Sequence, residues 1–307
     1  MESSDVSIGR ATALIVISAL SFGSISVLTV LTTDAGIPLL TVMAWRYMLG
    51  ASMLGASMLG ASMLGTTARR RTGGSISRRH VIQLLLIGGF GQALITYVSL
   101  YSLRYIPVGP LAFLFYTYPA WVAIIAAIRG TERLTAMRVT ALLLALAGVT
   151  AMVGMPVERL NPIGVGLALA SALLYSIYLP ALEHVQEGVP AMSATFWLIL
   201  GAAVSFVVAA LMARELFIPR DPSVWTNILV LALVSSVIAF SSLIKGLSVL
   251  GPVRTAIIAT VEPFFTAILG VIVLSNQLSA ATLIGGILIA AAILVIEWSS
   301  MRIAATA

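Results

Sequence analysis

Hydrophobic positions along this chain fall into long, nearly charge-free runs separated by short polar breaks. The runs span 11–33, 38–65, 81–103, 108–128, 136–155, 162–182, 191–213, 222–244, 253–274 and 279–298. Each has about the 20 residues that a helix needs to cross a hydrocarbon layer, so the pattern predicts ten membrane-spanning helices. Several begin with helix-initiating chemistry. Asn161-Pro162 and Asp221-Pro222 place a capping side chain before a proline in the first turn, where its missing N–H costs nothing. The first run, Ala11 to Thr33, exceeds a signal-peptide core and has no cleavage site after it, so it is read as an uncleaved first span.

Composition narrows the class. Of 307 residues, 60% are hydrophobic and 9% charged, with a mean hydropathy of +1.09. A soluble domain carries roughly a quarter of its residues as charges. This excludes a secreted module, a disordered chain and a soluble enzyme, and no polar stretch is long enough for a separate soluble domain. The absence of cysteine removes disulfides, thiolate metal sites and thiol nucleophiles.

The net charge of +6 would suggest nucleic acid in a soluble chain, but here it sorts by loop. With a cytoplasmic N-terminus, ten spans return the C-terminus to the cytoplasm. The inner set is then Arg10, Arg69, Arg70, Arg71, Arg78, Arg79, Arg129, Arg133, Arg138, Lys245, Arg254 and Arg302; the outer set is Arg104, Arg159, Arg214 and Arg220. Twelve against four in short loops predicts both ends inside, in a bacterial cytoplasmic membrane, with no nucleic-acid partner.

Two repeats stand out. Gly-Ala-Ser-Met-Leu occurs three times across Gly50–Leu64, creating small-residue pairs such as Ala51/Gly55 that favour close packing in lipid. Each copy turns the helix by ~140° net, so it builds no single face, and the simplest reading is a neutral expansion. A longer repeat relates the halves 1–156 and 157–307. At an offset of 144, Glu132-Arg133-Leu134-Thr135-Ala136 is echoed by Asn276-Gln277-Leu278-Ser279-Ala280, Pro119 by Pro263 and Leu103 by Leu247. Earlier the offset is 153, pairing Ser18-Ala19-Leu20 with Ser171-Ala172-Leu173, so the first half carries nine extra residues; two surplus pentapeptides would supply ten, and loop-length differences could do the same. Five spans per half is odd, so the halves are predicted to be inverted, as in secondary transporters with a midplane site.

Specific residues then point to a family. Ser21-Phe22-Gly23, Trp45-Arg46-Tyr47, Tyr118-Pro119 followed by Thr131-Glu132-Arg133-Leu134-Thr135, and Glu262-Pro263 followed by Asn276-Gln277-Leu278 resemble the EamA family of the drug/metabolite transporter superfamily over nearly the whole chain. The sequence departs from the family pattern at Phe22, commonly tryptophan, and at Ser275-Asn276-Gln277, commonly Gly-Glu-Gln. The resemblance implies an all-α fold of ten helices in two inverted five-helix repeats, and export of amino acids or related small metabolites by alternating access.

Two charges lie at membrane depth. Arg46 sits about 12 Å inside its span, where an arginine costs on the order of 3 kcal/mol and faces protein or water. Its planar fork suits a substrate carboxylate or phosphate, unless it only snorkels outward between Trp45 and Tyr47. Glu262 is the acidic residue well inside a span: a candidate proton carrier or ammonium partner, or a fixed structural partner of Arg46 or of backbone amides. Pro119 and Pro263 free the carbonyls of Phe115 and Ala259 and are candidate hinges.

Polar stripes predict a cavity wall. Gln92, Thr96 and Ser99 share one helical face, as do Ser171, Tyr175 and Tyr178; Tyr97, Tyr101, Tyr116 and Trp197 add further candidates. The same stripes also suit helix–helix hydrogen bonding. No cofactor or metal is called for, and the expected partners are a small-molecule substrate and the lipid bilayer, with the chain a monomer or homodimer. A sugar-phosphate or nucleotide-sugar exchanger would want more deep basic residues than Arg46 alone. A small multidrug pump would want a first-span carboxylate. A passive facilitator or channel for small amphipathic solutes stays open, although no ring of charge is present. An intramembrane enzyme is disfavoured, because Asp5, Asp34 and Asp221 fall in tails or loops and there is no HExxH.

Overall fold

The computed structural model describes residues 7–63, 76–106, 108–131, 135–153, 160–274 and 280–306, and these are helical with no strand among them. The elements are α1 (Ile8–Asp34), α2 (Leu39–Met63), α3 (Arg78–Arg104), α4 (Val108–Phe115), α5 (Tyr118–Ile128), α6 (Ala136–Val153), α7 (Pro162–Val185), α8 (Ala191–Met212), α9 (Pro222–Ala259), α10 (Glu262–Leu274) and α11 (Ala280–Thr306). Six helical runs among the described residues are long and apolar enough to cross a membrane: α1, α3, Pro110–Ile128, α7, α8 and α9; Ala136–Ala151 and Leu283–Ile296 are shorter apolar helices. Leu64, Glu132–Leu134, the boundary at 156/157 and Asn276–Leu278 lie outside the described residues.

The starts follow local chemistry. Asn161 accepts a hydrogen bond from Ile163 N–H at 2.9 Å, and Asp221 accepts from Ser223 N–H at 2.8 Å, each with proline in the first turn. That bond holds the exposed Asp221 carboxyl below the usual aspartate range. Apolar side chains occupy both the outer face and the interior of the bundle. Bulky Ile128, Met212, Ile287 and Leu294 face outward, while the inner surface of α8 sets small residues, Ser193, Ala194, Thr195, Gly201, Ala202 and Ala203, beside Leu198, Ile199 and Phe206. Lipid offers no hydrophobic drive between helices, so close backbone approach replaces it.

Four elements depart from the sequence expectation, three of them for a backbone reason. The predicted span 108–128 is broken at Tyr116–Thr117, and 253–274 at Thr260–Val261, two residues before Pro119 and Pro263. A proline inside a helix both lacks its N–H and crowds the preceding turn. The predicted break between 244 and 253 shrinks to Gly251, whose φ of 74° suits a residue without Cβ, and α9 otherwise runs from Pro222 to Ala259. The last helix extends to Thr306, beyond the predicted end at 298.

Two stretches are π-helical: Ile87–Gln92 in α3 and Leu231–Ile238 in α9. They start 144 residues apart, as do the turns at 116–117 and 260–261. The packing partners exchange in the same way. α1 lies against α9 and α10, and α7 against α3, α4 and α5; α2 pairs with α8, and α6 with α11. Halves of the chain thus pack mainly on each other.

The α3–α8 contact is the tightest. A Cβ on Gly88 would collide with the Leu198 carbonyl, and one on Gly201 with the Leu85 carbonyl. Gly88→Ala is therefore expected to cost about 1–3 kcal/mol by overpacking. Gly9→Ala, with nothing within 4 Å of the added carbon, should leave the thermal midpoint of the purified protein unchanged or slightly raised.

Candidate functional site

A cavity of about 460 Å³ opens between the halves, walled by α1, α2, α3, α4, α5, α7, α9 and α10. Its polar lining includes Ser18, Ser26, Arg46, Gln92, Thr96, Ser99, Tyr116, Tyr118, Tyr175, Glu262 and Thr266; Phe22, Phe115 and Phe240 supply much of the apolar wall.

Arg46 is 1% exposed, so it does not snorkel. Its Nε donates to Ser236 Oγ at 3.0 Å and its Nη2 to the Ser235 carbonyl at 2.9 Å; Nη1 faces Met43 Sδ at 3.8 Å, and the guanidinium lies 4.8 Å from the Tyr47 ring centroid. The π-helical stretch explains why a carbonyl is available in mid-helix. Ala239 N–H bonds to the carbonyls of Ser236 and Val234, passing over Ser235, whose oxygen would be its ordinary α-helical partner. The freed oxygen takes the guanidinium. Ser235 Oγ pairs with Ser24 Oγ at 2.7 Å and approaches the Ser21 carbonyl at 3.2 Å, and Ser18 Oγ donates to the Ala239 carbonyl at 2.9 Å, tying α1 to the same stretch. No carboxylate pairs with Arg46 among the described residues.

Glu262 opens α10, half-buried on the cavity wall. Tyr116, Tyr118 and Tyr175 form its electrostatic surroundings. These rings are packed together, Tyr118 to Tyr175 at 4.7 Å edge-to-face and Tyr116 to Tyr118 at 5.9 Å. Gln92 donates through Nε2 to Thr96 Oγ1 at 2.9 Å, while its Oε1 is buried with no partner. An orphan acceptor on a cavity wall is a place for a ligand donor.

The structure brings together Arg46, Gln92, Thr96, Tyr116, Tyr175, Glu262 and Pro263 from the sequence-predicted set. The remaining four stand elsewhere. Tyr178 is buried behind Tyr175, ring centroids 5.7 Å apart, and Pro119 is buried beside the broken turn, neither lining the cavity. Trp197 packs edge-on against Phe196, also off the lining. Tyr97 is 37% exposed and stacks on Tyr101, bordering a second cavity. The reason is common to these: helical spacing gives the face a residue shares, and the neighbour across that face decides whether it meets space or protein. Ser235 and Ser236 were missed. Their signal was a polar pair in an apolar run, with Ser236 standing 144 residues after Gln92.

Removing one acceptor from a buried cation is expensive. Ser236→Ala is expected to lower stability by about 1.5–3 kcal/mol, read as a fall in thermal midpoint. Ser52→Ala, on an exposed face of the same helix as Arg46, should shift it by less than about 0.5 kcal/mol.

Comparison with known proteins agrees with this architecture. A family model, the EamA-like transporter family, matches residues 9–154 and again 162–298. A solved protein crystal structure superposes with a TM-score of 0.77 at 21% identity, covering 96% of this chain and 99% of that one, a likeness of fold. Among curated proteins none matches the chain. With a duplicated match across nearly its full length, the chain belongs to the EamA-like transporter family, within the drug/metabolite transporter superfamily, and is a polytopic membrane transporter.

Proposed function

We propose that this transporter exports amino acids or closely related zwitterionic metabolites by alternating access. The observation that carries the reading is one cavity walled by both Arg46, a guanidinium with no carboxylate partner among the described residues, and a carboxyl, Glu262. A buried cation without a carboxylate partner recruits an anionic group, and the arginine fork suits a carboxylate. The ammonium of the same ligand meets Glu262, the orphan Gln92 Oε1 and the faces of Tyr116 and Tyr175, which attract cations. The cavity volume, about 460 Å³, suits a small ligand rather than a peptide.

Proton coupling falls to Glu262, which releases or takes a proton when water reaches the cavity. Its equivalent at an offset of 144 is Tyr118, so only one half carries this chemistry. The turns at 116–117 and 260–261, ahead of Pro119 and Pro263, supply matched hinge points for the exchange of access. We read the chain as ten spans in two inverted repeats, 1–156 and 157–307, both ends in the cytoplasm of a bacterial cell, as monomer or homodimer. The matched π-helical stretches, the matched turns and the exchanged packing partners support the duplication; the twelve-to-four loop charge supports the orientation.

Transport is tested in inverted membrane vesicles with a mixed panel of labelled amino acids, with and without an imposed proton gradient. Gradient-driven accumulation is expected for wild type and loss of that drive for Glu262→Gln. Equilibration indifferent to both gradient and substitution would make the protein a facilitator. For orientation, a green fluorescent protein fused after Ala307 should be bright and a phosphatase fused there inactive; the reverse pattern would invert the topology.

A further inference from the structure

A second cavity, of about 320 Å³, lies at the end of the bundle that holds the α1–α2 turn, the end of α3 and the α8–α9 connection. Because α3 runs from Arg78 to Arg104, this end is opposite the Arg78–Arg79 end. Val30 and Leu100 line both this cavity and the central one, so the two cavities meet at these apolar side chains.

The second cavity repeats the chemistry of the first. Arg104 supplies a guanidinium, held 4.8 Å from the Tyr101 ring centroid and ion-paired with no carboxylate among the described residues. Glu215 supplies a carboxylate, and its backbone is fixed: its carbonyl accepts from the Thr41 hydroxyl, and Trp45 Nε1 donates to the Phe217 carbonyl two residues on. Tyr97 and Tyr101 stack at 5.5 Å as an aromatic wall. Thr29, 3% exposed, lines the cavity with its hydroxyl buried and unpartnered, an orphan polar group where a ligand would satisfy it.

We propose that Thr29, Tyr97, Tyr101, Arg104 and Glu215 form a second binding station for a zwitterionic amino acid, meeting the central site at Val30 and Leu100. Arg104 takes the carboxylate and Glu215 with the tyrosine faces takes the ammonium. The inference rests on reading the central cavity as an amino-acid site. It makes transport a two-station passage in which a molecule passing Val30 and Leu100 leaves one arginine and meets another.

The chain has no cysteine, which permits a direct test. Thr33→Cys in the second cavity and Ser99→Cys in the central one each place a single thiol beside one station. Each variant, purified at full length in lipid nanodiscs, is labelled with a maleimide while an equimolar mixture of the nineteen proteinogenic amino acids other than cysteine, whose thiol would consume the label, is titrated in. Both thiols are expected to be protected. Arg104→Gln should raise the protecting concentration at residue 33 about tenfold or more, the loss of one charged hydrogen bond, and leave residue 99 unmoved. Arg46→Gln should do the reverse, and Arg104→Lys should restore part of the protection at 33. Protection at 99 alone, or protection at 33 that vanishes with Arg46→Gln, overturns the second station and leaves the central site standing. Protection at neither thiol overturns both.

Discussion

A guanidinium buried in a lipid-embedded bundle, with no carboxylate beside it among the described residues, is the constraint around which this structure is arranged. Placing Arg46 at that depth costs on the order of 3 kcal/mol, and its fixed compensation comes from backbone as much as side chain. The π-helical stretch of α9 withholds one carbonyl from its helix, at Ser235, and the guanidinium accepts the offer while Ser236 takes Nε. Regular helices have no mid-span carbonyl to spare. The irregularity is therefore what lets a cation stand at the wall of the cavity. Ser18, Ser21 and Ser24 extend the same network into α1, so the first helix is positioned by the stretch that holds the charge.

The two halves share a backbone plan and differ in what they do with it. In α3, Ala93 N–H bonds to the carbonyls of Gly88 and Phe90 and passes over Gly89, the same pattern seen at Ser235. There, however, no cation answers among the described residues. Gly88 and Gly201 bring the α3 and α8 backbones into direct contact instead. Duplicated backbone geometry thus serves packing in one half and charge in the other. The same divergence sets Glu262 opposite Tyr118 at the broken turns, concentrating ionisable chemistry in α2 and α10 while Tyr116 of the broken turn and the tyrosines of α5 and α7 provide the wall.

Much of this was legible from sequence. Charge-free runs forced helices, because lipid leaves no other way to satisfy backbone polar groups. Asn161-Pro162 and Asp221-Pro222 marked starts that the caps reproduce. Arg46 and Glu262 were conspicuous because a charge in an apolar run is seldom neutral in effect, and Gln92, Thr96 and Ser99 lie on one wall as their spacing required. The broken turns were half legible: the prolines announced lost hydrogen bonds, while the place where the helix yields depended on neighbours.

What the sequence by itself determined was composition along a line: which segments are apolar enough to form long helices, where they cap, which polar residues share a helical face, and that one half echoes the other. Tertiary structure decided which faces meet. Tyr175 lines the cavity and Tyr178 lies behind it, though one stripe carries both, because Gly91 of α3 packs against Tyr178. Arg46 found its acceptors on α9, 189 and 190 residues away. Spacing along one helix has a period that can be read, but contacts across helices depend on the depth and rotation of both partners, which no single helix encodes.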